Sequence, residues 1–156
     1  MDLDRLKKGV KLKAARFCAY QERTHQQVRE KLRTLLEEED LIEEIIAELI
    51  AENFINEERY AKSFASGKFR LKKWGRNKIL LNLKQHGLTQ YCIKKGLEEI
   101  PEEDYLEQLE KLTQDKFNSL SVDNIFERKH KVSIFLINKG YEPDLVWSVL
   151  DRISPR

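Results

Sequence analysis

One pattern recurs three times along this chain, and it constrains the fold more than any other feature. The same spacing separates Lys78 from Lys131, Ile79 from Val132, Leu81 from Ile134, Leu83 from Leu136 and Gly87 from Gly140, and it continues to Ile93 with Val146 and Leu97 with Leu150. Nearer the N-terminus, Val28 and Leu32 match Ile79 and Leu83. Leu41, Ile46 and Ile50 then match Leu88, Ile93 and Leu97 if the acidic turn at Glu37 to Asp40 is an insertion. Within each unit apolar residues recur three or four apart, the period of a helix buried on one side. Units this small cannot bury their own apolar faces, so each is expected to lean on its neighbours. Few Gly and Pro, abundant Glu, Lys, Leu, Ala and Gln, and no run of alternating β-branched residues all favour helix. The chain reads as all-α, an elongated array of three tandem three-helix repeats. The units span 10–55, 56–100 and 101–156, with 1–9 as an N-terminal tail or helix extension.

Local signals place the helices. Val10, Ala14, Phe17 and Cys18 form the stripe of a first helix. Thr24 and Gln27 have capping-box spacing, Asn56 and Thr89 suit N-caps, and Gly87 and Gly140 suit the residue after a helix end. Pro101 and Pro143 fit first turns. In the helix after Asn56, Tyr60, Phe64, Gly67 and Leu71 fall on one face, which predicts a core stripe. Phe69 then projects the opposite way, among Lys62, Ala65, Lys72 and Lys73.

Charge is segregated. From Thr34 to Glu58 there are ten acids and no Lys or Arg, whereas Arg59 to Leu97 holds eleven cations and no Asp or Glu. A net charge of +2 hides this. Because the basic block also carries helical apolar spacing, its charge decorates a folded surface able to attract a polyanion or an acidic protein. Lys62, Lys68, Arg70, Lys72, Lys73, Arg76 and Lys78 are the leading contact residues, with Phe69 beside them. The plainer alternatives are a solvated helix surface balancing the acidic helix and, for Phe69, packing against a neighbouring repeat.

Tyr20-Gln-Glu-Arg23-Thr-His-Gln-Gln-Val28-Arg-Glu-Lys-Leu32 resembles the first-repeat signature of the RecX family, bacterial regulators of the recombinase RecA. Asn53-Phe-Ile-Asn-Glu-Glu-Arg59-Tyr60-Ala61-Lys-Ser-Phe64 resembles its second signature. Lys73-Trp-Gly75-Arg76-Asn-Lys-Ile79 and Leu83-Lys-Gln-His-Gly87-Leu88 continue it. Glu57 and Glu58 stand where the family tends to have Asp. The resemblance implies a curved, three-repeat protein that lies in the groove of the RecA–DNA filament and restrains filament growth, ATP hydrolysis, strand exchange and coprotease activity, without being an enzyme. Arg23, Arg59, Tyr60 and Gly75 are its signature residues here, and each also suits a structural role.

Catalysis finds little support. His25, His86 and His130 are far apart in sequence, Glu37 to Asp40 are consecutive rather than on one helix face, and no phosphate-cradling glycine loop occurs, so no catalytic, metal or cofactor site is expected. The opening Met-Asp-Leu-Asp-Arg-Leu-Lys-Lys has no apolar core and no stretch is long enough to cross a bilayer, which predicts a cytoplasmic protein. Cys18 and Cys92 read as reduced core thiols. The expected partner is the RecA filament, with DNA contact left open, and the expected state is a monomer. A general nucleic-acid-binding helical protein acting through the basic middle repeat is the competing reading, and a nuclease the third.

Overall fold

The computed structural model describes residues 2–155, which form nine α-helices and no strand. The first repeat is α1 (Leu3–Tyr20), α2 (His25–Arg33) and α3 (Glu39–Ala51). The second is α4 (Glu57–Lys72), α5 (Arg76–Gln85) and α6 (Gln90–Leu97); the third is α7 (Glu102–Ser119), α8 (Ile125–Asn138) and α9 (Pro143–Ile153).

The helix starts are set by local chemistry. Thr24 Oγ1 accepts from the Gln27 N–H at 3.1 Å while Gln27 Oε1 accepts from the Thr24 N–H at 3.0 Å, which closes a capping box on α2. Asn56, Thr89 and Asn124 cap α4, α6 and α8 through their side-chain oxygens alone, which accept from first-turn N–H groups. Gly87 and Gly140 turn the chain after α5 and α8 with positive φ. Asp2 caps α1, which therefore begins well before Val10, so 3–9 extends the first helix.

The acidic turn is not an insertion. His25 and Glu39, which open α2 and α3, stand as far apart as Arg76 and Gln90, which open α5 and α6. In this register Ile42 and Ile45 match Ile93 and Gly96, all buried, and Ile50 is 41% exposed. Sliding a helix by four residues turns its apolar stripe by only about 40°, so periodicity alone could not distinguish the two registers.

The repeats do not share burial equally. Val10, Ala14, Val28, Leu32, Ile42, Ile45, Leu49 and Ile55 belong to one apolar cluster confined to the first repeat. A second cluster runs through the other two repeats, from Tyr60 and Phe69 to Tyr105, Val132, Tyr141 and Leu150. Only the second and third units lean on each other through a common core. Within the second, α4 meets α6 through small residues: a Cβ on Gly96 would lie 2.7 Å from the Ala61 carbonyl oxygen. The buried face of α4 is consequently Tyr60, Ala61, Ala65 and Phe69, while Leu71 is 83% exposed. The expected stripe ran through Tyr60, Phe64, Gly67 and Leu71 and has only Tyr60 in common with this buried face. The real one follows the alanines that let two backbones approach.

Candidate partner-binding face

The acidic helix is neutralised within its own repeat. Lys7 Nζ lies 2.9 Å from Glu44 and 2.6 Å from Glu48, Lys11 lies 2.9 Å from Glu52, and Arg29 lies 2.6 Å from Glu43. Arg33 pairs with Glu39 at 3.0 Å. These contacts hold the Lys7 and Lys11 ammoniums above their usual range and the Glu43 and Glu48 carboxyls below theirs, through direct hydrogen bonds. Most acids of α3 are thus paired with α1 and α2, and of the acids from Thr34 to Glu58 only Glu58 forms an ion pair with any of the cations of the basic block.

Some of those cations are used internally. Arg76 pairs with Glu142 at 2.9 Å and with Glu102, and its guanidinium lies 3.7 Å over the Tyr105 ring. It ties the second repeat to the third. Lys62 sits 3.7 Å from Glu58 and 4.0 Å from Glu99. Lys68, Arg70, Lys72, Lys73 and Lys78 have no carboxylate within ion-pair distance among the described residues; neither does Lys139 of the third repeat. Phe69 is not on this face. It is buried, its ring stacked against Tyr105 at 6.0 Å, because the third repeat covers the side of α4 that looked solvent-facing in isolation.

The signature residues have structural positions. Arg23 lies 3.7 Å over the Phe17 ring and donates to the Phe17 carbonyl at 3.1 Å. Arg59 reaches Glu22 at 2.5 Å and the Asn53 carbonyl at 3.1 Å, joining the first repeat to the second across the connecting segment. Tyr60 is buried against Phe64, their rings 5.9 Å apart. Gly75 is where the second and third repeats touch.

That contact explains how the face is held. The Gly75 N–H donates to the Lys139 carbonyl at 2.8 Å and the Asn77 N–H to the Gly140 carbonyl at 2.8 Å, so the turn after α8 caps the start of α5. A Cβ on Gly75 would lie 2.3 Å from the Gly140 carbonyl carbon. Beneath this, the Tyr105 hydroxyl accepts from the Arg76 N–H at 3.0 Å and donates to Glu142, while Tyr141 donates to the Lys73 carbonyl at 3.0 Å. Burial pushes the Tyr141 hydroxyl up to about 12 and also raises that of Tyr105, so both remain hydrogen-bond donors at neutral pH. Gln108 donates to the Phe69 carbonyl at 3.1 Å and to the Tyr141 hydroxyl at 2.8 Å. Tyr105, Gln108, Lys139, Tyr141 and Glu142 escaped sequence reasoning because they act across the repeat junction. The pairing of Gly87 with Gly140 was the one hint that the later turn mattered.

The junction brings cations together. Lys68 and Lys78 lie 5.0 and 4.5 Å from the Trp74 ring centroid, and Lys139 Nζ donates to the Lys72 carbonyl at 3.3 Å. Partial burial, then the charges of Lys78 and Lys73, hold the Lys139 ammonium below its usual range. No group of His, Cys, Asp and Glu among the described residues is arranged to hold a metal ion, and both cysteines are free. No described helix is long and apolar enough to cross a membrane.

The architecture defines a class: an all-α protein of three tandem three-helix units, the second and third fused and basic at their junction. Family models for the first, second and third three-helix domains of RecX match 11–49, 56–97 and 102–150 in that order. The chain belongs to the RecX family. Among curated relatives, the regulatory protein RecX of Clostridium botulinum is 35% identical over 130 residues, covering 82% of this chain and 60% of that one. The regulatory protein RecX of Bacillus cytotoxicus is 28% identical over 143 residues, covering 92% and 53%. The chain thus spans little more than half the length of these relatives. The crystal structure of RecX from Lactobacillus salivarius superposes with a TM-score of 0.87 at 27% identity, covering 97% of this chain and 98% of that one.

Proposed function

We propose that this chain binds the RecA–DNA filament and restrains it, lowering recombinase, ATPase and coprotease activity in the cytoplasm during DNA repair and the SOS response. It acts as a monomer and performs no chemistry of its own. The observation that carries this is the match to all three RecX domains in order along one chain. The unpaired cations of the second repeat supply a surface that suits an acidic partner, since charge left unneutralised inside the protein remains available across an interface.

The test is to titrate the protein into RecA-coated single-stranded DNA while following ATP hydrolysis, with naked DNA in parallel. Hydrolysis should fall in proportion to added protein. Changing Lys68, Arg70, Lys72 and Lys73 together to Glu should weaken that inhibition and leave helicity intact. Unchanged hydrolysis at saturation, together with tight binding to naked DNA, would favour general nucleic-acid binding instead. Loss of DNA dependent on a divalent cation would indicate a nuclease.

A further inference from the structure

The end of α4 presents an apolar side chain that the fold does not use. Arg70, Leu71, Lys72 and Lys73 are all exposed, Leu71 to 83%. One turn back, Gly67 has no side chain to cover it, and nothing lies within 4 Å of the position its Cβ would take. Leu71 therefore stands as a knob among cations, with Lys68 three residues before it and Lys72 directly after it. Neither cation has an ion pair among the described residues.

The third repeat carries the opposite shape and charge. Its first helix, α7, holds six acids against two lysines and lies beside α9 along a cleft of about 470 Å³. Leu106 of α7 with Leu145 and Val149 of α9 make the apolar part of this cleft. Glu103, Glu107 and Glu110 recur three or four apart along its α7 wall, the spacing of one helix face. Among the described residues Arg152 is the only cation lining it, and that guanidinium is drawn to Glu110 at 3.4 Å. Glu103 and Glu107 have no ion pair among the described residues. Their carboxylates repel a polyanion, so this surface is no extension of the basic face. What complements it is an apolar side chain flanked by cations. Leu71 with Lys68 and Lys72 is such an element, and every copy of the chain carries both halves. Within one molecule the halves do not meet, since Leu71 is left in solvent.

We infer that the Leu71 knob of one copy docks in the α7–α9 cleft of a second copy of this chain, with Lys68 and Lys72 set against Glu103 and Glu107. The two surfaces differ, so the contact is heterologous and can pass from copy to copy. A contact centred on one side chain belongs to the small, transient class and forms only as concentration rises. It covers cations of the basic face. Association therefore holds the protein in a masked form, and dilution releases the monomer with that face open. This goes beyond the proposed function and does not rest on it.

Sedimentation velocity of the full chain, from micromolar to near-millimolar concentration, tests this. The weight-average sedimentation coefficient should rise with concentration, and association should weaken several-fold in about 1 M salt, where the screening length falls to about 3 Å. Leu71→Ser removes an exposed side chain and should weaken association about tenfold. Leu81→Ser is the control: Leu81 is 55% exposed on the same repeat, and its loss should change association less than about twofold. Two further variants separate the halves. Leu71→Asp spoils the knob and keeps the cleft, whereas Glu103→Lys with Glu107→Lys spoils the cleft and keeps the knob. Each should sediment as a monomer alone, and an equimolar mixture should form a 1:1 complex, because each retains the half the other lacks. A monomer at every concentration would overturn the inference, as would equal effects of Leu71→Ser and Leu81→Ser or a mixture that stays monomeric. The measurement contains no recombinase. Self-association without inhibition of the filament removes the proposed function and leaves this inference, and inhibition by a chain that never associates does the reverse.

Discussion

Changing Gly75 to Ala should separate the second and third repeats. Gly75 has φ −82 and ψ 169, a conformation any residue adopts, so the effect is purely steric. The added methyl would lie 2.3 Å from the Gly140 carbonyl carbon and the Tyr141 nitrogen and 2.4 Å from the Gly140 oxygen. All three are backbone atoms and cannot swing aside, so the turn after α8 must move as a body. Forced overpacking costs ~1–3 kcal/mol, and straining the hydrogen bonds from Gly75 and Asn77 adds ~1 kcal/mol each. A loss of ~3–5 kcal/mol is a large share of the stability of a typical domain. It corresponds to a fall in melting temperature of roughly 10 °C at this chain length. The measurement is urea unfolding followed by tryptophan fluorescence and by far-ultraviolet circular dichroism. Both tryptophans, Trp74 and Trp147, lie in the fused pair of repeats, so fluorescence reports on that body alone. Its midpoint should drop sharply. Gly67→Ala is the control: nothing lies within 4 Å of its Cβ position, and filling a helix-interior glycine should stabilise by ~0.5–1 kcal/mol. A Gly75→Ala midpoint equal to wild type would refute the claim that this backbone contact sets the junction.

Three further predictions concern single side chains. Arg59→Ala should free the first repeat from the second at a cost of about 1 kcal/mol, because it removes a half-exposed ion pair and a carbonyl contact; faster cleavage by a glutamate-specific protease at Glu52 and Glu57 checks this, and unchanged rates would contradict it. Phe69→Ala should cost ~3–5 kcal/mol by cavity formation, whereas Phe69→Leu should largely retain stability and partner binding; binding lost in a stably folded Phe69→Leu variant would return the ring to the contact face. For Lys139, whose folded-state proton affinity is lowered, the unfolded chain holds the proton more tightly, so this residue's contribution to stability rises as pH climbs through the folded value towards 10.5. Lys139→Gln should remove that component, read as a wild-type-minus-variant difference in urea midpoint between neutral and alkaline pH, and a flat difference would show that the crowding is absent.

What could be read from sequence was what is local. The Thr24 capping box, the Asn56 and Thr89 caps and the turns at Gly87 and Gly140 depend on residues a few positions apart, and each stands where expected. Val28, Ile79 and Val132 are equivalent and fully buried, so the repeat was legible in its central helices. The face of α4 was not. Its burial is decided by Gly96 lying on Ala61 and by Tyr105 lying on Phe69, contacts between residues far apart in the chain that no helical period encodes. The same holds for Arg76, which composition placed with free cations and which Glu102 and Glu142 claim from the third repeat. The site was legible as a charge excess and illegible as an arrangement, because Lys139 joins it only through the contact of two glycines.

Ion pairing within the first repeat gives the charge segregation a physical meaning. Had the ten acids of Thr34 to Glu58 faced the eleven cations that follow, the two blocks would have cancelled across the boundary between repeats. Instead α3 turns Glu43, Glu44, Glu48 and Glu52 towards α1 and α2, and Glu57 accepts from the His25 N–H at 3.1 Å. The first repeat therefore has both its own apolar core and its own counter-charges, and Arg59 joins it to the rest. The second repeat has no core of its own, and among its cations its own carboxylates reach only Lys62 and Lys95. It shares its core with the third and leaves Lys68, Lys72, Lys73 and Lys78 unpaired. A net acidic, self-contained unit that pairs much of its own charge, attached to a fused, cationic pair, follows from where the carboxylates point, and it is why a net charge of +2 understates what this chain presents to a polyanion.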